Sequence, residues 1–323
     1  MTSPLDRLAD ALAPEMAQVN TLILKHLGSE VPLAQEIGSG LIASGGKRIR
    51  PLLTLAGASL FGPVNDNAQL LAAAIEFIHS ATLLHDDVVD MSDLRRGAPS
   101  ANAIHGNAAP VLVGDFLFAR AFELMVDAKS LPALALLART AGDIAQGEVL
   151  QLSVKGDLDA GIATYNRIIE AKTAVLFAAA TEVGAILAGH DSAAARAYGL
   201  HLGMAFQIVD DVLDYAAATP KLGKTLGDDF AEGKITLPVW IALDGASRNE
   251  TIFWQRTMRE HIQEKDDLAR AMEILARHDA FDKALTAAET HAGKAREALS
   301  TLPATQLTPV LSDLLDFVLA RTH

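Results

Sequence analysis

The chain of 323 residues contains no cysteine. No disulfide, thiolate-bound zinc or cysteine nucleophile can therefore be part of its chemistry. Aromatic residues make up only 5%, which argues against sheets, because strands favour aromatic and β-branched side chains. Positive charge is also short: 27 Lys and Arg stand against 40 Asp and Glu, a formal net charge of −13. A surface of that sign repels phosphate backbones on average, so nucleic acid is not an expected partner. No apolar run approaches the roughly 18 residues that suggest a spanning helix. The most apolar stretch, 174–189, is interrupted by Glu182. The first residues, Met1 to Asp6, have neither the basic nor the apolar segment of a secretory signal. The expectation is a cytoplasmic protein without stable membrane insertion.

Alanine is abundant, with 58 residues, and alanine is the best helix former. Apolar side chains recur at helical spacing, as in Leu5, Leu8, Ala9 and Leu12 near the start and Leu311, Leu314, Leu315 and Val318 near the end. Glycine and proline clusters punctuate these runs without forming an interdomain linker. The pattern predicts an all-α single domain over 1–323, of about ten helices.

Two segments carry the same acidic motif, DDxxD, each closing an apolar helical run: Asp86, Asp87 and Asp90, then Asp210, Asp211 and Asp214. Positions i and i+4 of a helix share a face, about 6 Å apart along the axis. Like charges at that spacing repel, and the negative end of the helix dipole makes matters worse. One such cluster is ordinarily a solvated helix end. Two copies beside apolar surface ask for a cation. With oxygen ligands only, the expected ion is Mg²⁺, which typically uses one or two carboxylates plus waters and substrate phosphates.

Against this acidity the basic clusters gain weight. Gly45-Gly46-Lys47-Arg48-Ile49-Arg50-Pro51 gathers three cations in a glycine-opened turn before a helix, an arrangement suited to phosphate oxygens. Arg95 and Arg96 follow the first motif by five and six residues, near enough to share a metal-bound anion, although a surface salt bridge also explains them. Lys172-Thr173 interrupts an apolar helix, where an unpaired Lys is costly. Gln207 precedes the second motif by three residues, and Lys224 and Lys234 stand in a glycine-punctuated segment behind it that suits a closing flap or an ordinary exposed loop.

GGKRIRP, LLHDDVVDMSDLRRG, GDFLFARA, Lys172-Thr173, FQIVDDVLDY and the GK…GDD…GK tail occur in the order seen in trans-isoprenyl (polyprenyl) diphosphate synthases. The chain resembles that family over a motif core of about 40–240, and within it the long-chain octaprenyl to decaprenyl type that makes quinone side chains. The resemblance implies the isoprenoid synthase fold, an all-α bundle around a deep central cavity, usually a homodimer. It implies a Mg²⁺-dependent prenyltransferase that condenses an allylic diphosphate primer with successive isopentenyl diphosphates. Asp86, Asp87, Asp90, Asp210, Asp211 and Asp214 would hold the metal, about three ions per site. Arg95, Lys172, Thr173, Gln207, Lys224 and Lys234 would bind the allylic diphosphate, and Lys47, Arg50, His79 and Arg96 the isopentenyl diphosphate. Asp86, Asp87, Asp90, Lys172, Asp210 and Asp211 form the implied catalytic set. Phe206 would shield a cationic intermediate with its ring face or serve as a core aromatic. The diphosphate set free would take the proton lost on coupling.

Product length would follow from the helix before Asp86. Thr82 and Ala81, four and five residues upstream, are small where short-product relatives carry aromatics. Ile78 and Ile75 continue roughly that face, and Phe118, Phe122 or Met125 would supply a floor. The alternatives are a geranylgeranyl or farnesyl synthase, a terpene cyclase, a non-catalytic subunit of a heteromeric synthase, or a helical binding protein. Cyclases do not need the isopentenyl set, and an inert subunit has no reason to keep both motifs. Residues 246–323 are expected to be outer helices without chemistry. Six of the 40 acidic residues belong to the two motifs, and without them the net charge would be −7.

Overall fold

Proline in the first turn and polar caps fix where helices begin. Asn65 accepts from the Ala68 backbone N–H at 3.0 Å, Ser130 accepts from Ala133 at 3.4 Å, and Ser247 and Glu250 cap reciprocally. The computed structural model describes residues 2–43, 47–95, 97–216 and 227–322. Its first half holds α1 (Pro4–Ala11), α2 (Ala13–Leu27), α3 (Pro32–Ala43), α4 (Ile49–Ser59), α5 (Asp66–Val89), α6 (Ala101–His105), α7 (Ala108–Asp127) and α8 (Leu131–Ser153). Next come α9 (Gly161–Ile169), a π turn at Glu170–Ala174, α10 (Val175–Leu187) and α11 (Ala193–Ala216). The remainder is α12 (Asp228–Ala231), α13 (Leu237–Asp244), α14 (Arg248–Trp254), α15 (Asp267–Arg277), α16 (Ala280–Ser300), α17 (Thr308–Leu319) and a terminal 3₁₀ turn, Ala320–Thr322. The only strands among the described residues are the two-residue pair Leu94–Arg95 and Ala98–Pro99. The expected all-α fold is what forms.

At the centre runs α10, buried from Val175 through Ala185. It packs against α4, α5, α8 and α11. Small residues make that closeness possible: a Cβ on Gly184 would lie 2.3 Å from the Ala58 backbone nitrogen, and one on Gly199 would lie 2.3 Å from the Phe177 carbonyl oxygen. Helices approaching at backbone distance leave little room for large rings, which is how a core forms from an alanine-rich, aromatic-poor sequence. The consequence for function is position. α4, α5 and α11, each locked to α10, present one end to a common cleft.

A second apolar cluster, including Tyr215, Phe230, Val239, Phe253, Trp254, Met258, Ile274 and Leu275, supports the far side of α11. Within it Phe230, next to Asp229, packs with residues of α14 and α15. No helix among the described residues is long and apolar enough to cross a membrane.

Candidate active site

The C-terminal halves of α5 and α11 border a cavity of about 1270 Å³, together with α4, α8, α9, the π turn, α12 and α17. All six motif aspartates line it, as do Lys47, Arg50, His79, Thr82, Arg95, Lys172, Thr173, Phe206, Gln207 and Lys234. Arg96 and Lys224 lie outside the described residues.

Within each motif the three carboxylates differ. Asp87 is 2% exposed and is gripped by Arg95, whose Nε donates to both carboxylate oxygens at 2.7 and 2.8 Å while Nη2 reaches Oδ1 at 2.6 Å. Asp211, equally buried, accepts from the Tyr165 hydroxyl at 2.6 Å and the Gln207 amide at 2.8 Å. The outer aspartates keep more of their surface toward the cleft. Asp86 lies 3.5 Å from Lys172 Nζ, Asp210 lies 2.8 Å from Arg321 Nη1, and Asp214 accepts the Asp229 backbone N–H at 3.0 Å.

The π turn, a local widening of the helix seen often at functional sites, carries Lys172 and Thr173. Lys172 donates to Glu148 at 2.8 Å, and the Thr173 hydroxyl donates to Gln207 Oε1 at 2.8 Å. These two residues thus join the motifs: Lys172 faces the first, and Thr173 steadies the amide that holds the second. Lys234 donates to Asp229 at 3.0 Å. On the opposite wall Arg50 Nη1 is 3.1 Å from His79 Nε2, its guanidinium lies 4.6 Å from the Phe177 ring centre, and Lys47 Nζ lies 5.4 Å from that of Phe317.

The electrostatics of the cleft favour a cation. Among the described residues, twelve Asp and Glu and eight Lys and Arg side chains line the cavity. Burial, reinforced by Asp229, pushes Asp211 up to about 7, and burial with the charge of Asp86 does the same to Glu148. Asp86 is also raised, by burial first, against the pull of Lys172. Glu232 is pushed up to about 7 by burial and by Asp90. Arg50 is pushed down to about 10 by burial, opposed by Glu76 and Asp210. An all-oxygen set of repelling carboxylates suits a hard divalent ion. Among the described residues no three acidic or histidine side chains form a cage by themselves.

The expected tunnel residues divide. Thr82 lines the cavity, whereas Ala81, Ile78 and Ile75 do not, being fully buried in the core. Phe122 is 44% exposed on α7, and Met125 packs in the core. Phe206 lies under the Arg321 guanidinium, 4.8 Å from its ring centre. The sequence reading gave no individual role to Arg48 and missed Glu148, Tyr165, Glu232, Phe317 and Arg321, all cavity residues. A signal existed for Arg48, which sits inside the quoted basic turn. The others reach the cleft by tertiary packing alone.

A polyprenyl synthetase family model matches residues 31–275. The octaprenyl diphosphate synthase of Haemophilus influenzae is 43% identical over 316 residues, covering 96% of this chain and 94% of the relative. Among solved structures, a decaprenyl diphosphate synthase from Rhodobacter capsulatus superposes with a TM-score of 0.95 at 46% identity over 99% of both chains. A polyprenyl synthase from Caulobacter crescentus, complexed with calcium and isoprenyl diphosphate, superposes with a TM-score of 0.93 at 51% identity, over 99% of this chain and 98% of that one.

Proposed function

The chain belongs to the polyprenyl synthetase family and is a prenyltransferase, and from that premise we propose the division of labour in its cleft. The reaction is all-trans polyprenyl diphosphate synthesis, carried to the octaprenyl to decaprenyl range. The observation that carries this reading is that both aspartate pairs, Asp86 with Asp90 and Asp210 with Asp214, open onto one cavity that Lys47, Arg50, Arg95, Lys172 and Lys234 also line. Asp86, Asp90, Asp210 and Asp214 take the part of direct ligands to about three Mg²⁺ ions, with Asp87 and Asp211 holding the motifs in shape from behind. When bound, Mg²⁺ would neutralise charge growing on a departing diphosphate.

Lys172, Thr173, Gln207, Arg95, Lys224 and Lys234 are assigned to the allylic diphosphate. Lys172 and Lys234 now pair with Glu148 and Asp229 and would exchange those carboxylates for phosphate oxygens. Lys47, Arg50, His79 and Arg96 are assigned to isopentenyl diphosphate. The allylic carbon–oxygen bond breaks, the isopentenyl double bond attacks the cation, and a proton leaves to the released diphosphate. Basic side chains fixed beforehand favour the charge-separated state, the electrostatic contribution that commonly dominates catalysis. Thr82, the member of the tunnel set that reaches the cavity, is assigned the limit on product length, with Ala81, Ile78 and Ile75 behind it.

A homodimer fits the outer surface. Leu112, Phe122 and Val126 of α7, with Leu131 and Val149 of α8, are exposed at 67%, 44%, 61%, 75% and 67%, large apolar side chains that a second copy would cover. Light scattering on the purified chain tests it, and a monomer at micromolar concentration rejects it.

Elongation decides the main reading. The full chain with Mg²⁺, farnesyl diphosphate and labelled isopentenyl diphosphate should yield products that chromatograph in the octaprenyl to decaprenyl range, and EDTA should abolish them. Products stopping at geranylgeranyl length would replace the long-chain assignment, and no incorporation would overturn the reaction.

A further inference from the structure

The turn entering α4 contains a cation to which the preceding assignment gives no role. Arg48 adopts φ 44° and ψ 47°, the left-handed region that a side chain with Cβ occupies at a cost. Its side chain lines the same cavity as Lys47 and Arg50. Its Nη1 is shielded from solvent and has no hydrogen-bond partner among the described residues. A buried guanidinium nitrogen without an acceptor is unfavourable, so both backbone and side chain are held in a conformation that the described residues do not reward.

The other guanidinium groups of this cleft each meet a partner, although Arg50 Nε, like Arg48 Nη1, is buried without one among the described residues. Arg95 is bound to Asp87, Arg321 to Asp210, and Arg50 to His79. Arg50 also feels Glu76, a cavity residue whose charge works against an anion at that wall. A multiply charged diphosphate at Lys47 and Arg50 therefore meets a cationic field reduced by Glu76, and Arg48 restores it with a planar fork of donors that matches phosphate oxygens.

We infer that Arg48 is a further ligand of the isopentenyl diphosphate, closing on it alongside Lys47 and Arg50. The inference rests on the assignment of that wall to isopentenyl diphosphate. It also explains the backbone: the left-handed turn aims the side chain into the cleft, and the strain is retained because the ligand supplies the missing acceptor.

Glycine adopts this backbone freely and asparagine tolerates it, so Arg48→Gly and Arg48→Asn remove the guanidinium without forcing the turn. In steady-state elongation assays both should raise KM for isopentenyl diphosphate by roughly 10- to 100-fold, change KM for the allylic primer less than about threefold, and melt at or above the wild-type temperature. Arg48→Lys, which keeps charge but not the fork, should fall between. Lys47→Ala is the comparator. If Lys47→Ala raises that KM and both Arg48 variants leave it unmoved, Arg48 is not a ligand and the inference fails alone. If the primer KM moves instead, the inference fails for this substrate. If neither Lys47→Ala nor the Arg48 variants affect isopentenyl diphosphate in an enzyme that turns over, the assignment of the wall is wrong and the inference falls with it.

Discussion

At the end of α5 the middle aspartate, Asp87, is held by the guanidinium of Arg95, whereas in α11 the corresponding Asp211 is held by a phenol and an amide. The two motifs have the same spacing and the same burial of the central residue, yet only one of the buried charges has a counter-charge in contact. Hydrogen bonds from Tyr165 and Gln207 pull Asp211 down, but burial and Asp229 prevail and its carboxyl rises to about 7. The first motif is thus neutralised at its root before any ligand arrives. The second carries strain that a divalent cation would relieve.

The largest test of this comparison separates outer from middle aspartates. Asp86→Asn and Asp210→Asn should each lower kcat by roughly 10³-fold or more, with little change in melting temperature. Asp87→Asn should instead unfold more easily, because it strands Arg95 beside a buried amide. The loss should be about 3 kcal/mol, read by urea titration. Equal losses of kcat at unchanged stability for Asp86→Asn and Asp87→Asn would erase the distinction.

Next in size is the neutral tether. Tyr165→Phe deletes the hydroxyl that donates to Asp211 at 2.6 Å, leaving a buried carboxylate one donor short, which costs about 1–3 kcal/mol. The Mg²⁺ concentration for half-maximal elongation should rise about tenfold if that deficit is felt in metal binding. An unaltered Mg²⁺ requirement would mean that Asp211 does not shape the second motif.

Local pattern made the fold and much of this site legible. The i, i+4 spacing of Asp86 and Asp90, the glycine-opened basic turn and the break at Lys172 are all signals within one helical turn. Contacts between distant segments were not legible. Glu148 meets Lys172 across 24 positions, Tyr165 meets Asp211 across 46, and Arg321 reaches Asp210 from the end of the chain. Helical phase alone puts Ile75 and Ile78 roughly in line with Asp86; Thr82, nearest the motif, lines the cavity, whereas Ile75 and Ile78 are buried in the core. Whether a helix face meets a cavity or a neighbour depends on tertiary packing, which the period does not encode.

A smaller effect concerns how α5 is fastened. His85, beside Asp86, has Nε2 3.0 Å from the Val111 carbonyl oxygen, and a Cβ on Gly114 would come within 2.2 Å of that nitrogen. Gly114→Ala should push the ring aside and cost about 1 kcal/mol through the lost hydrogen bond. The first motif should then need a few-fold more Mg²⁺ while the Tyr165→Phe effect on the second persists unchanged. If the two substitutions are strongly non-additive in Mg²⁺ requirement, the motifs do not act as separate units.

The most modest effect is in pH, and its sign follows from the acids around the motifs. Glu148 and Glu232 are both pushed up to about 7 from an ordinary 4.5, by burial first and then by Asp86 and Asp90 respectively. A carboxyl raised in the folded state keeps its proton where the unfolded chain has lost it, so its contribution to stability is complete below 4.5 and is lost as pH rises through 7. His291, held down to about 4 from 6.5 by burial and His201, acts in the opposite sense, and its contribution fades only as pH falls below 6.5. Between pH 6.5 and 8 the acids therefore dominate this pair of trends. Over that interval the metal-free melting temperature should fall. A bound cation favours the ionised acids, so the rise in melting temperature on adding Mg²⁺ should be larger at pH 8 than at pH 6.5. Replacing Glu148 and Glu232 together by Gln removes both titrations and should shrink the difference to the part that Asp211, also pushed up to about 7, contributes. A Mg²⁺-dependent shift that is the same at both pH values in the wild type would show that these acids do not feel the metal.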